Sequence, residues 1–167
     1  QLGRGSNPGV IKAEEQPAGE DESLRGFFAA TRQGAVEPLL FQARARGDDL
    51  LWDPLNTARA VQRVVDAVRP DQVIVDHLAF SARLALKASG VRHGDVVLGH
   101  PSALTVPGEV YGDPPAWPRA FRPDPDALAE LRRVCEGVRD RFTQSWNETL
   151  AVLAPSASAS SDAFAET

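Results

Sequence analysis

The sequence contains no methionine, one cysteine (Cys135), one tyrosine (Tyr111) and only two lysines, Lys12 and Lys87, beside sixteen arginines. A single cysteine excludes an intrachain disulfide framework and any zinc site built from cysteine pairs, and a reducing, intracellular setting fits it best. No run approaches the roughly 18 consecutive apolar residues of a membrane-spanning helix. A basic start followed by a short apolar run and a small-residue cleavage site is also missing, so no secretory leader is read and a cytoplasmic location is expected. Basic residues are outnumbered, 18 against 23 acidic, for a net charge of −5. With no Lys/Arg cluster to compensate, that balance argues against a nucleic-acid partner. Methionine is missing even at position 1, where Gln1 stands, so a natural start is expected elsewhere.

What is present is ordinary globular material: 43% hydrophobic and 25% charged residues in 167. That length suits about one domain and lets roughly 70% of the unfolded surface be buried. Residues 1–22 are polar and rich in Gly, Pro and Glu, and only Gly9-Val10-Ile11 offers a short strand there. Ser23 is expected to cap a helix reaching about Gly47. Pro38 should kink it or divide it into helices over about 23–35 and 38–46, because proline lacks an N–H and crowds the preceding turn. Asp53-Pro54 opens the next helix, and Ala58, Val61, Val65 and Val68 form its apolar stripe. Pro70 ends it.

Val73-Ile74-Val75, between a Pro-Asp turn and Asp76, reads as a buried parallel strand. Residues 79–89 read as a helix stopped by Gly90. Residues 95–99 read as a second buried strand, completing a βαβ unit. A long proline-rich loop over 100–125 carries Tyr111, Trp117 and Phe121, which favour an ordered, pocket-lining loop. A long amphipathic helix should follow from about 126 to Val152, with Leu128, Leu131, Cys135, Val138 and Phe142 on one face. The Ser/Ala tract at 155–161 reads as loop, and Ser161 or Asp162 as the start of another helix. A complete doubly wound domain of this length should show roughly five strands, at about 30 residues per βα step. Two strands and a weak third read instead as part of a larger α/β domain, with strands expected upstream of Gln1 and downstream of Thr167.

Few residues carry chemistry. Asp76 ends a parallel strand, on the side where open α/β sheets bind ligands. It can orient and charge-stabilise a histidine base from a neighbouring loop, or simply cap the following helix. His77, His93 and His100 are the only imidazoles and form no metal-ligand spacing, so no metal is expected. His77 reads as an exposed or structural neighbour of Asp76, and His100 opens the loop on the same rim. Asp124-Pro125-Asp126 fits a D-x-D cation motif but fits a helix start better. Gly3, Gly5 and Gly9 make no dinucleotide fingerprint, and Ser81 and Ser102 lack the nucleophile-elbow glycines. Cys135, on an apolar helix face, reads as a buried structural thiol. Asn147-Glu148-Thr149 is a glycosylation sequon, relevant only to a secreted chain.

The run from Val68 to Leu104 resembles one family. Pro70-Asp71-Gln72-Val73-Ile74-Val75-Asp76, a helix closing on Gly90-Val91, and Gly99-His100-Pro101-Ser102-Ala103-Leu104 together resemble the amino-terminal half of GT-B fold UDP-glycosyltransferases. They look most like the actinobacterial members that glycosylate natural products and macrolides. Arg92 stands where the family usually has proline. The resemblance covers about residues 23–165, and its specific part is 68–104.

It implies a Rossmann-like α/β fold: a parallel sheet with flanking helices, 1–167 forming a single, incomplete acceptor-binding domain. It further implies inverting transfer of a sugar from a nucleotide-sugar co-substrate to a hydroxyl of a small acceptor, by a His-Asp dyad. Asp76 would be the aspartate; the histidine and the donor-binding domain would lie outside this chain, so the chain alone is expected to be inactive. His100, Ser102, Tyr111, Trp117, Phe121 and Phe142 would contact the acceptor. No metal or other cofactor is implied, the partners are small molecules rather than nucleic acid or membrane, and a homodimer is admitted. The alternative is a non-catalytic ligand-binding or accessory protein on the same scaffold.

Overall fold

The computed structural model describes residues 19–46, 50–99, 104–106 and 108–166. In chain order it comprises α1 (Glu20–Thr31), α2 (Glu37–Ala45), α3 (Pro54–Val68), β1 (Ile74–Asp76), α4 (Phe80–Ala88), β2 (Gly94–Val96) and α5 (Pro125–Leu153). Among the described residues this is an α/β arrangement of five helices and a two-stranded parallel sheet. The weak strand expected at Gly9-Val10-Ile11 lies outside the described residues.

Proline and glycine set most helix ends. Pro38 sits in the first turn of α2, where a missing N–H costs nothing, so two helices form with the break before proline. The first of them starts at Glu20 rather than Ser23. Gly19 occupies the cap at φ +90°, and its carbonyl accepts from Ser23 N–H at 3.0 Å. Asp53 does precede α3, but its carboxylate accepts from the Asn56 side-chain amide instead of a backbone N–H. At the other end Arg69 turns left-handed at φ +50° before Pro70. Asp124 caps α5 directly: its carboxylate accepts from Ala127 N–H at 3.0 Å, with Pro125 in the first turn.

β1 and β2 pair in parallel with Ile74 opposite Gly94, Val75 opposite Asp95 and Asp76 opposite Val96. The ladder extends one bond each way, Gly94 N–H to Val73 and His77 N–H to Val96. The second strand stops at Val96, so Val97, Leu98 and Gly99 fall outside it. Both strands were expected to be buried, and they are not: Ile74 is 72% exposed and Val96 42%. Side chains alternate along a strand. Ile74, Asp76 and Val96 therefore share one open face, while Val75 and Asp95 share the half-buried one. Two strands with their single crossover helix cover one side only, whereas buried parallel strands need helices on both faces.

Two apolar clusters divide along α5. Its first half gives Leu131 and Cys135 to a cluster with Val36, Ala43 and Val110; its second half packs Val138, Phe142, Trp146 and Leu150 against Phe80, Leu84, Ala163 and Phe164. No helix forms at Ser161 or Asp162. There Asp162 accepts from Phe164 N–H at 3.0 Å and makes a turn that drives Phe164 inward. The Phe164 ring stacks between Phe142 and Tyr111, each at 4.1 Å.

Candidate functional site

Asp76 ends β1, and the chain turns immediately into α4. Its Oδ1 accepts from Leu78 N–H at 2.9 Å and its carbonyl accepts from Ala79 N–H at 2.8 Å. The helix cap itself is Ala79, with no side-chain bond. Asp76 thus holds the turn ahead of the helix rather than the helix end. Its side chain is 42% exposed, and among the described residues Oδ2 makes no hydrogen bond.

His77 is buried at 7%, not exposed. Its N–H donates to the Val96 carbonyl at 3.1 Å, and Nδ1 lies 3.3 Å from the same oxygen and 3.6 Å from Asp76 Oδ1. With one ring nitrogen turned to β2, His77 ties the turn to the sheet. His93 Nδ1 lies 3.2 Å from the Val91 carbonyl. His100 and Ser102 lie outside the described residues.

Behind this turn is a charge pair that residue patterns did not single out. Arg83, on α4, is 3% exposed. Its Nη1 donates to the His77 carbonyl at 3.1 Å, and its Nε lies 3.3 Å from Asp95 Oδ1 on β2. Nε, Nη2 and Asp95 Oδ1 have no well-aligned hydrogen bond among the described residues. Burial pulls the Arg83 pKa below the usual arginine value, against the opposing charges of Asp95 and Glu166. The available signal was an arginine one residue before Leu84 on an inward helix face, together with an aspartate inside an otherwise apolar strand. Each is costly to bury alone and tolerable as a pair.

The aromatic residues separate. Tyr111 meets Phe80 edge-on at 6.4 Å and stacks on Phe164. Phe142 is 4% exposed and its ring packs in the core against Phe80, Trp146 and Phe164, so it presents no open face to an acceptor. Trp117 is half-buried against the other cluster. Phe121 is 52% exposed, with no ring stacking among the described residues. Of the four, only Tyr111 lines a hollow described below.

Two adjoining hollows lie between α2, residues 108–115 and α5. The inner one, about 90 Å³, is walled by Leu39, Ala43, Cys135 and Val138. The outer one, about 300 Å³, is walled by Thr105, Glu109, Pro114 and Pro115. Arg46, Tyr111 and Gly112 border both. Burial, reinforced by Asp113, pushes the Cys135 thiol up to about 11 while Arg46 pulls it down. The protonated thiol is therefore an apolar wall and not a nucleophile. Among the described residues no group of three His, Cys, Asp or Glu side chains is placed to hold a metal ion. Asn147 of the sequon bonds both the N–H and the carbonyl of Ser160. No family model, curated protein or solved structure matches the chain.

Proposed function

We propose that this chain is the acceptor-binding, Rossmann-like part of an inverting GT-B glycosyltransferase that acts on a hydroxyl of a small natural-product acceptor. The observation that carries the proposal is Asp76: a half-exposed carboxylate at the carboxyl end of a parallel strand, one oxygen holding the turn and the other without a partner among the described residues. Open α/β sheets bind their ligands there. The resemblance over residues 68–104 adds the reaction class.

In the proposed reaction a histidine from elsewhere in a longer protein takes the acceptor proton. The acceptor oxygen bonds to the anomeric carbon, and the nucleoside diphosphate leaves. The histidine becomes positive, and Asp76 stabilises that charge and fixes the useful tautomer. The nucleotide sugar is a co-substrate, and no metal takes part.

Asp76→Asn in the full enzyme tests the reading. Asn Oδ1 still accepts from Leu78 N–H, so stability should stay within about 0.5 kcal/mol. Losing the charge should lower kcat roughly 10²–10⁴-fold, with little change in donor affinity. Activity within about threefold of wild type, the usual reach of a minor perturbation, would leave Asp76 as a turn residue and remove the proposal's support. Residues 1–167 alone, incubated with nucleotide sugars and phenolic or macrolide acceptors, should yield no glycoside.

A further inference from the structure

The hollows beside Tyr111 form a site that does not depend on the sugar-transfer reading. Gly112 creates the junction between them. It sits at φ +89°, and a Cβ there would come 3.3 Å from Cys135 Sγ, so only glycine lets the loop lie this close to α5 without strain. The inner hollow is lined chiefly by Leu39, Ala43, Cys135 and Val138, with Gln42 and Arg46 the polar exceptions. At about 90 Å³ it is smaller than the roughly 150 Å³ that admits benzene. A short aliphatic chain fits such a space better than a ring.

Polar groups around the opening are unequal. Asp113 is taken by Arg132 at 3.2 Å, and Glu109 accepts from Val106 N–H at 3.3 Å. Arg44, two residues before Arg46, is taken by Glu130 at 3.1 Å. Arg46 borders both hollows, its charge is near enough to act on the Cys135 thiol, and its side chain has no ion pair or hydrogen bond among the described residues. A planar guanidinium at the mouth of an apolar hollow matches a carboxylate with an aliphatic tail, since its fork can donate two parallel hydrogen bonds.

We propose that these hollows bind a short-chain aliphatic carboxylic acid, the tail against Cys135 and Val138 and the carboxylate on Arg46. The test is an NMR titration of the chain with butyrate, butan-1-ol and butylammonium, followed at the Ala43, Gly112 and Val138 amides. Butyrate should give saturable shifts at all three and bind roughly tenfold or more tightly than the alcohol, the scale of one charge-assisted hydrogen bond. Butylammonium should bind no better than the alcohol. Arg46→Gln, a change at an exposed position, should bring butyrate down to the alcohol's affinity and leave the alcohol unaffected. Absence of saturable shifts, equal affinity for acid and alcohol, preference for the amine, or an acid preference that survives Arg46→Gln would each overturn the proposal.

Discussion

The Arg83–Asp95 pair shows how much one buried charge constrains its neighbours. Arg83 reaches from α4 to the His77 carbonyl and to Asp95 on β2, so a single side chain joins the turn after β1 and the second strand to the crossover helix. Removing one partner strands the other charge in a buried site. Asp95→Ala should therefore cost about 3–5 kcal/mol in urea unfolding, whereas the double change Arg83→Met with Asp95→Leu should cost much less. A loss below about 1 kcal/mol for the single change, the range of an exposed pair, would mean that water reaches the pair. Gly112 offers a second test. Gly112→Ala forces an L-residue into the left-handed region, at a cost of about 1–2 kcal/mol, and crowds Cys135. A thermal melt should register the loss.

Among elements, the segment after α5 does more than a Ser/Ala tract suggests. Phe164 stacks on two rings, Ala163 N–H donates to Thr143 Oγ1 at 3.1 Å, and Glu166 pairs with Lys87 on α4. Phe164→Ala should cost about 3–5 kcal/mol, read as a lowered Tm. The latch should also respond to pH. Although burial alone would raise the Glu166 pKa, the hydrogen bonds from Lys87 and Ser160 and the nearby positive charges leave it below the usual glutamate value. A depressed carboxylate stabilises the fold above its unfolded pKa of about 4.3, and that contribution disappears as pH falls through the lower folded value. Hydrogen exchange at the Ala163 amide should accelerate below about pH 4 relative to Glu166→Gln. Identical pH dependence in the two proteins would show that the latch rests on packing alone.

At the scale of the whole molecule, an apolar groove beside β1 stands out. Ile74, Val64 and Val68 are each more than half exposed. With Val61, Val65 and Leu86 they border a groove of about 370 Å³ between α3, β1 and α4. Apolar surface of this kind promotes association. Ile74→Lys should leave stability within about 0.5 kcal/mol, as at other exposed positions, and should reduce binding of a hydrophobic dye and concentration-dependent light scattering. Unchanged dye binding would show that the groove is not the dye's site.

Most element positions were legible because local chemistry decides them. Pro38, Pro54, Pro70 and Gly90 mark helix ends whatever surrounds them, and the apolar spacing of α5 predicted its length to within a residue or two. Asp76 could be placed at a strand end because the apolar run before it is short and bounded. Burial was not legible for the strands, since Val73-Ile74-Val75 reads the same whether or not a layer covers it. Nor was the division of the aromatics. Phe142 and Phe164 lie 22 positions apart in the sequence and meet because the chain turns at Asp162, while Phe121 and Trp117, near neighbours in one loop, end in different surroundings. The sequence by itself determined where most helices start and stop, because caps, prolines and apolar periodicity act within a few residues; the start of α1, the end of β2 and the turn at Asp162 were not legible in this way. Only the tertiary structure decided which charges are paired inside, which rings stack and where a hollow remains, because those depend on contacts between residues far apart along the chain.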